Sequence, residues 1–310
     1  MASRKKKSSI KSLVLTAAIA AAASVLVFMA AKAGLIDIDI LSKMFGNDTI
    51  SSADGELEVM FIDVGQGDCS LITSEDRAIL IDTGEKENGE MICGLLQSKG
   101  IDKLDCMILT HPHSDHIGAA AYIINNFDVE QVIAPKVKDS IVPTTKTYEK
   151  LLKAISNKDL KLTAAKPGME IDAGDGTLKI ISPVNDYDDL NNYSAAAVLT
   201  HGQDSFLFTG DIEKEAESDI LESGAFVDID VLKVAHHGSS TSSSKKFLEA
   251  AAPDYAVIMC DGISYGHPHK ETLDALEKYT DKIYRTDTDG SITFTSDKEG
   301  LAVKTEKSRK

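Results

Sequence analysis

Residues 110–116 read Thr-His-Pro-His-Ser-Asp-His and directly follow a short apolar run at 106–109. Three of the chain's eight histidines fall in this stretch, together with one aspartate. Imidazole nitrogens and a carboxylate oxygen suit a borderline divalent cation such as zinc, manganese or iron. In extended backbone, residues two apart point the same way, so we expect His111 and His113 to bind one metal ion. Asp115 and His116 would then turn towards a second ion.

Five further motifs accompany this stretch, and their order resembles one branch of a known superfamily. His111-Pro-His113-Ser-Asp115-His116 is similar to the HxHxDH signature of the metallo-β-lactamase fold. The whole set resembles the hydrolase domain of ComEC-type competence proteins over about residues 56–296. The other motifs are 61–68 (Phe-Ile-Asp-Val-Gly-Gln-Gly-Asp), 79–84 (Ile-Leu-Ile-Asp-Thr-Gly), 209–211 (Thr-Gly-Asp), 232–239 (Leu-Lys-Val-Ala-His-His-Gly-Ser) and 265–269 (Tyr-Gly-His-Pro-His).

The resemblance implies an α/β (α+β) fold, a four-layer αββα metallo-β-lactamase sandwich. The pattern of the chain agrees, because many short β-rich runs alternate with stretches of helical spacing. We expect a hairpin across residues 202–204 and a helix over 118–125. The mostly polar residues 297–310 are predicted to be a frayed tail.

The resemblance also implies a ligand set for two metal ions. His111 and His113 would bind metal one, Asp115 and His116 would bind metal two, and Asp211 would bridge both ions. In distant relatives the histidine directly before a glycine is the usual further ligand of metal two. This favours His237 over His236, and both remain candidates. The expected catalytic residues are Asp115, Asp211, His267 and His269.

Other motif residues are expected to support these ligands or to contact substrate. Asp82 would orient a histidine ligand. Residues 191–194 (Asn-Asn-Tyr-Ser), called the third motif from here on, stand where many relatives have a histidine on metal one. Metal one is therefore expected to be loosely held or to bind only with substrate, and β-lactam hydrolysis is disfavoured. His201 is predicted to lie on the surface. The supporting set is Asp63, Gln66, Asp68, Asp82, Asn192, Ser194 and Ser239.

The implied chemistry is hydrolysis by a metal-activated water, with one or two zinc or manganese ions as cofactors. His267, His269 or a metal-bound water would protonate the leaving oxygen. The favoured function is a phosphodiesterase or nuclease acting on single-stranded DNA. One alternative is an esterase for phosphorylcholine or a cell-wall phosphodiester, whose substrate is a small head-group diester. Another is a non-catalytic, metal-stabilised binding protein, which would have the ligands but no accessible pocket.

Charge divides the chain into a basic beginning and an acidic body. Residues 1–45 hold seven Lys/Arg and two Asp/Glu, so their net charge is +5. The whole chain has a net charge of −16, so the remainder carries −21. An acidic body repels duplex nucleic acid. It fits a small head group somewhat better than a long polyanion.

The basic beginning precedes an apolar run. Residues 13–31 are nineteen residues without a charge, which approaches the roughly 30 Å hydrocarbon thickness of a bilayer. Residues 1–12 would then stay in the cytoplasm and the domain would lie outside. The segment 13–33 is a membrane anchor, or a signal peptide cleaved near Ala31-Lys32-Ala33. Residues 34–55 are interpreted as a tether, 56–296 as the hydrolase domain and 297–310 as the tail.

Overall fold

Short runs of β-branched and aromatic residues form the strands of this structure. The computed structural model describes residues 55–226 and 228–308. The strands are β1 (Leu57–Phe61), β2 (Ser70–Ser74), β3 (Arg77–Ile81), β4 (Lys103–Leu104), β5 (Cys106–Ile108), β6 (Asp128–Val129), β7 (Val132–Ala134), β8 (Leu162–Ala164), β9 (Glu170–Ala173), β10 (Gly176–Ile180), β11 (Ala197–His201), β12 (Asp204–Phe208), β13 (Val231–Lys233), β14 (Tyr255–Ile258), β15 (Ile283–Arg285), β16 (Ile292–Asp297) and β17 (Gly300–Thr305).

The helices lie between these strands, and two of those described begin at a hydroxyl cap, Thr145 or Ser244. The side chain of Thr145, for example, accepts a hydrogen bond from Tyr148 N at 3.2 Å and starts the longest of them. The helices are α1 (Gly89–Ser98), α2 (Ser114–Ile117), α3 (Ala120–Asn126), α4 (Lys146–Asn157), α5 (Lys214–Ser223), α6 (Lys245–Ala251), α7 (Lys270–Leu276) and α8 (Thr286–Asp289).

The strands form two large sheets. One has the order β17-β16-β1-β2-β3-β5-β7-β8, and the other has the order β15-β14-β13-β12-β11-β10-β9. β3, β5 and β7 pair in parallel, and so do β12, β13 and β14. Motif loops therefore leave the carboxyl ends of parallel strands in both sheets. The predicted metal ligands lie on the segments that follow β5, β12 and β13.

The sheets pack face to face, and helices cover their outer faces. Phe61 of β1 and Phe208 of β12 meet between the sheets, with ring centroids 5.9 Å apart. Helices α1, α3 and α4 bury their apolar side chains against one sheet. Helices α5, α6 and α7 bury theirs against the other. Three apolar clusters thus separate four layers, as the αββα prediction requires.

The predicted hairpin is present, because β11 and β12 pair antiparallel. The helix predicted for 118–125 is α3, which begins two residues later, and a separate turn of helix, α2, precedes it. This difference matters for the site, because α2 carries Asp115 and His116. Residues 13–33, predicted to be an anchor or signal peptide, lie outside the described residues. Among the residues that are described, none of the helices is both long enough and apolar enough to span a bilayer.

The prediction of a frayed tail after residue 296 is wrong. Residues Gly300–Thr305 form β17, which pairs antiparallel with β16 over six positions. Leu301 and Val303 pack against the cluster between the sheets, while Ala302 and Lys304 are exposed. The segment is polar because it is an edge strand with one solvated face.

The prediction of a surface position for His201 is also wrong. The residue is 8% exposed. Its Nδ1 lies 2.6 Å from Ser296 Oγ, and that hydroxyl donates to Asp204 Oδ2 at 2.6 Å. The hairpin turn packs on β16, which buries the imidazole and gives it a partner distant in sequence.

Candidate metal centre

The histidine loop connects β5 to α2 at the edge shared by the two sheets. His111 is buried and His113 is half-buried, and His111 Nε2 lies 2.9 Å from His113 Nδ1. The two rings are therefore close together, as the prediction of a shared metal ion requires. Gly67 makes the loop's close approach possible, because a Cβ there would lie 2.2 Å from the carbonyl oxygen of Asp115, and its φ is +123°.

Asp211 lies at the centre of the cluster. Its Oδ2 is 3.2 Å from His116 Nε2, 3.5 Å from His237 Nε2 and 3.8 Å from His111 Nε2. Asp115 Oδ2 lies 3.3 Å from His237 Nε2. Three overlapping groups could hold a metal ion: His111–His116–Asp211, Asp115–His116–His237 and Asp68–Asp82–His116. His116 belongs to all three groups, and Asp211 is the carboxylate that lies near several imidazole rings.

The donor set fits a divalent cation. The buried atoms His116 Nε2, His237 Nε2 and Asp211 Oδ1 have no hydrogen-bond partner among the described residues. Burial alone would lower the pKa of His116, but Asp211 and Asp82 raise it well above its usual value. Burial likewise opposes the raised pKa of His237, and Asp211 is the main cause of the increase. The cluster therefore favours positive charge, which metal ions would supply.

Asp82 fixes the direction of His116. This carboxylate is fully buried, and it accepts hydrogen bonds from Thr110 N at 2.7 Å and Thr110 Oγ1 at 2.6 Å. Its Oδ2 also lies 2.8 Å from His116 Nδ1. With Nδ1 held as the donor, His116 presents Nε2 to Asp211. The predicted role of Asp82 matches this arrangement.

Asp68 has a partner that the sequence analysis did not identify. Lys233, on β13, is 2% exposed and forms an ion pair with Asp68. Its Nζ also donates to the carbonyl oxygen of Gly210 at 3.0 Å. Lys233 thus neutralises Asp68 and holds the turn before Asp211. The sequence does contain a hint of this pair, because Lys233 interrupts the apolar run 231–235. A lysine inside a buried strand needs a partner for its charge.

The two candidate histidines of the motif at 232–239 occupy different positions in the structure. The 3₁₀ turn Ala235–Gly238 has positive φ at His236 and His237. His237 is buried, and its Nδ1 lies 2.9 Å from the carbonyl oxygen of Met259, so its Nε2 faces the cluster. His236 lies at the rim, with Nδ1 3.3 Å from Glu213 Oε1. The position of His237 suits a ligand, and His236 faces the cleft.

The third motif joins the two halves of the centre through Ser194. Its buried hydroxyl lies 3.3 Å from His111 Nδ1 and accepts from the backbone N–H of Asp211 at 3.0 Å. Asn192, expected to contact substrate or support the ligands directly, instead caps the segment that leads into α5. Its Oδ1 accepts from the backbone nitrogens of Glu213 and Ala216. Asn191, which was not predicted, lines the cleft.

Two predicted supporting residues lie away from the cluster. Asp63 accepts from Gly65 N at 3.2 Å and faces Lys307, so it stabilises its own turn. The hydroxyl of Ser239 contacts Thr241 within the same loop at 3.0 Å. Both are short-range turn contacts, which the sequence pattern does not distinguish from site contacts. Gln66, by contrast, lines the cleft, and its buried amide atoms lack partners among the described residues.

Comparison with known proteins agrees with this geometry. The model of the metallo-β-lactamase superfamily matches residues 62–263. The chain belongs to the metallo-β-lactamase superfamily. ComE operon protein 3 of Bacillus subtilis is 32% identical over 263 residues, which cover 78% of this chain and 33% of that protein. Recombination protein 2 of Haemophilus influenzae is 30% identical over 242 residues, which cover 76% of this chain and 28% of that protein.

These relatives confirm the predicted resemblance to ComEC-type competence proteins. The chain spans about a third of the length of the curated relatives it matches. Among solved structures, CmlA, a diiron β-hydroxylase from Streptomyces venezuelae, aligns with a TM-score of 0.51 at 14% identity. The alignment covers 79% of this chain and 57% of that chain. At that identity it supports the metallo-β-lactamase fold alone.

In this member of the superfamily an open cleft of about 670 Å³ lies over the ligands. His267 and His269 line it, as predicted. Burial and the imidazole of His236 lower the pKa of His267 to about 4, so its ring is neutral at neutral pH. His269 Nδ1 accepts from Ser240 N at 3.0 Å, and its Nε2 lies 3.3 Å from the carbonyl oxygen of Tyr265. The ring of His267 therefore carries no extra proton to donate at neutral pH, and both ring nitrogens of His269 already have partners.

Proposed function

We propose that this chain is a metal-dependent phosphodiesterase that hydrolyses nucleic acid. The observation that carries the proposal is the cluster around Asp211, whose orphaned buried atoms converge at the floor of an open cleft. The third motif supports phosphodiester rather than β-lactam hydrolysis, because Ser194 stands beside His111 where many relatives have a metal-binding histidine. The similarity to competence proteins, whose names link them to DNA uptake, supports nucleic acid as substrate.

The residues that would hold the metal ions are His111, His113, Asp115, His116, Asp211 and His237. We propose zinc or manganese, because two carboxylates with several imidazoles give a mixed oxygen and nitrogen donor set. When bound, such ions would supply Lewis acidity and neutralise the charge that develops as water attacks phosphorus.

The chain's own side chains would position the substrate. Gln66 and Asn191 present amide groups to the cleft, and His236 lies at its rim. These groups can donate to phosphoryl oxygens. The neutral ring of His267 would orient the phosphate rather than protonate it. The leaving oxygen would then take its proton from solvent water, which the open cleft admits.

We further propose that the enzyme acts outside the cytoplasmic membrane, held there by the segment 13–33 or released from it. An uncharged run of nineteen residues after a basic beginning supports this location. In that place the enzyme would trim DNA beside an uptake channel or scavenge nutrients. The finding that the chain covers about a third of its relatives leaves channel activity to other segments or proteins.

The second candidate is an esterase for a small head-group diester, which the −16 net charge favours. A non-catalytic binding protein fits less well, because it would have the ligands without an accessible pocket and the cleft here is open.

The deciding experiment compares substrates for the purified full-length chain with manganese, zinc or EDTA. We expect metal-dependent cleavage of labelled single-stranded DNA and of bis-p-nitrophenyl phosphate. Asp211→Ala should lower both rates at least about a thousandfold, because metal ions contribute several kcal/mol to such reactions. Turnover of the small diester with DNA left intact would select the head-group esterase. Activity that survives in EDTA or in Asp211→Ala would contradict metal catalysis.

A further inference from the structure

One wall of the cleft belongs to a basic segment in an otherwise acidic chain. Residues 136–166 hold eight lysines and three Asp/Glu, a net charge of +5, although the whole chain carries −16. Seven of these lysines are exposed. A positive region inside a negative protein creates a local field that attracts a polyanion and leaves the rest of the surface repulsive to it.

Helix α4 brings this charge to the cleft. Thr145 and Thr147 line the cleft, and Lys146 lies between them. Lys150 follows one turn later on the same face as Lys146, and both side chains are exposed. Among the described residues, neither Lys146 nor Lys150 forms an ion pair, whereas Lys153 pairs with Glu149. Two exposed lysines without an ion pair therefore lie on the helix whose first turn borders the cleft.

The lining of the cleft also includes an exposed aromatic ring. Tyr265 lines the cleft, is 80% exposed and has a φ of +56°, a strained conformation for this residue type. Its ring centroid lies 5.8 Å from that of His267. Exposure of a large ring and a left-handed backbone both cost free energy, and such costs concentrate at binding sites. A free aromatic face beside a metal centre suits stacking with a base.

We propose that a single nucleic-acid strand crosses the cleft, with its phosphates on Lys146 and Lys150 and a base stacked on Tyr265. This proposal rests on the phosphodiesterase function above. It names the residues that would select a polynucleotide as the substrate. A head-group diester bound at the metal centre would use neither the second turn of α4 nor an exposed ring. A duplex would bring a second charged backbone towards the acidic surface. Stacking recognises any base, so the path is independent of sequence.

The first test measures binding without turnover. Fluorescence anisotropy with a labelled oligothymidylate in EDTA reports strand binding by the full-length chain even if no phosphodiesterase activity exists. The double variant Lys146→Ala/Lys150→Ala should weaken binding at least about tenfold. It should also reduce the slope of log K against log salt by about 1.4, the value for two phosphate contacts on a single strand. The control Lys179→Ala/Lys304→Ala removes the same charge from exposed strand positions outside the cleft.

The second test isolates stacking. Tyr265→Ala should weaken strand binding about five- to a hundredfold, and Tyr265→Phe should bind within about twofold of the wild type because it keeps the ring. With metal present, both the lysine pair and Tyr265→Ala should lower the ratio of kcat/KM for the oligonucleotide to that for bis-p-nitrophenyl phosphate. Thermal melts would check that each variant is folded.

Three results would overturn the strand path. One is an effect of the lysine pair no larger than that of its control. Another is equal binding by Tyr265→Ala and the wild type. The last is tighter binding to anionic lipid vesicles than to the strand, lost in the same variants, which would make the surface a membrane contact. If the wild type binds the strand but hydrolyses none of the substrates, the phosphodiesterase proposal is overturned instead.

Discussion

Lys233 is the residue whose burial most constrains the centre. It is almost fully enclosed, and among the residues that the structure describes its charge is satisfied by the ion pair with Asp68 and by the carbonyl oxygen of Gly210. We expect Lys233→Met to lower the free energy of unfolding by about 3–5 kcal/mol, because it leaves Asp68 buried without its cation. Urea denaturation measures this loss.

The matched control is Lys233→Met combined with Asp68→Asn, which removes both charges. This double variant should recover most of the lost stability. Equal stability of Lys233→Met and the wild type would mean that Asp68 is neutralised by another group, such as His237, whose Nδ1 lies 3.3 Å away.

His267 is expected to act as a neutral group over the whole working range of pH. Its pKa is lowered to about 4 by burial and by the neighbouring imidazoles, so the ring stays uncharged at every pH well above that value. The ratio of kcat/KM for the wild type to that for His267→Gln should therefore be constant between about pH 6 and 8. A ratio that changes near pH 6.5 would show that the ring titrates and protonates the leaving group.

At the scale of elements, β17 shows how an edge strand escapes recognition in a sequence. Only Leu301 and Val303 reach the core, so the segment has few apolar residues although it is fully paired with β16. A chain ending at residue 297 should lose roughly 2–3 kcal/mol of stability, because both side chains lose part of their burial. A chain ending at residue 307 is the control. Identical urea midpoints for all three chains would mean that β17 adds nothing to the fold.

The elements that carry the candidate ligands could be located in the sequence because each motif is local. The histidine loop, the turn before Asp211 and the turn after β13 each place their ligands within a few residues of a strand end. The partners of these motifs were not predictable, because pairing depends on contacts distant in sequence. Lys233 meets Asp68, His201 meets Ser296, and Asn192 meets the backbone before α5. No local pattern encodes such contacts.

Across the molecule, the candidate metal centre lies where loops from the two sheets meet. The eight-stranded sheet supplies His111, Asp115 and His116, and the seven-stranded sheet supplies Asp211 and His237. Ser194 adds a hydrogen-bonded link between His111 and the backbone of Asp211. Metal ions bound there would therefore join both halves of the fold, and their binding energy would contribute to global stability.

Removal of metal should consequently lower the thermal midpoint of the wild type. At a free metal concentration of about a thousand times Kd, binding adds about 4 kcal/mol. For a domain of this size that corresponds to roughly 8–16 °C between metal-loaded and EDTA-treated protein. Calorimetry of both forms measures the shift, and Asp211→Ala should abolish most of it. A midpoint that does not respond to metal would place the ions outside the interface between the sheets. An ion held by ligands from both sheets would oppose their separation and therefore raise the midpoint.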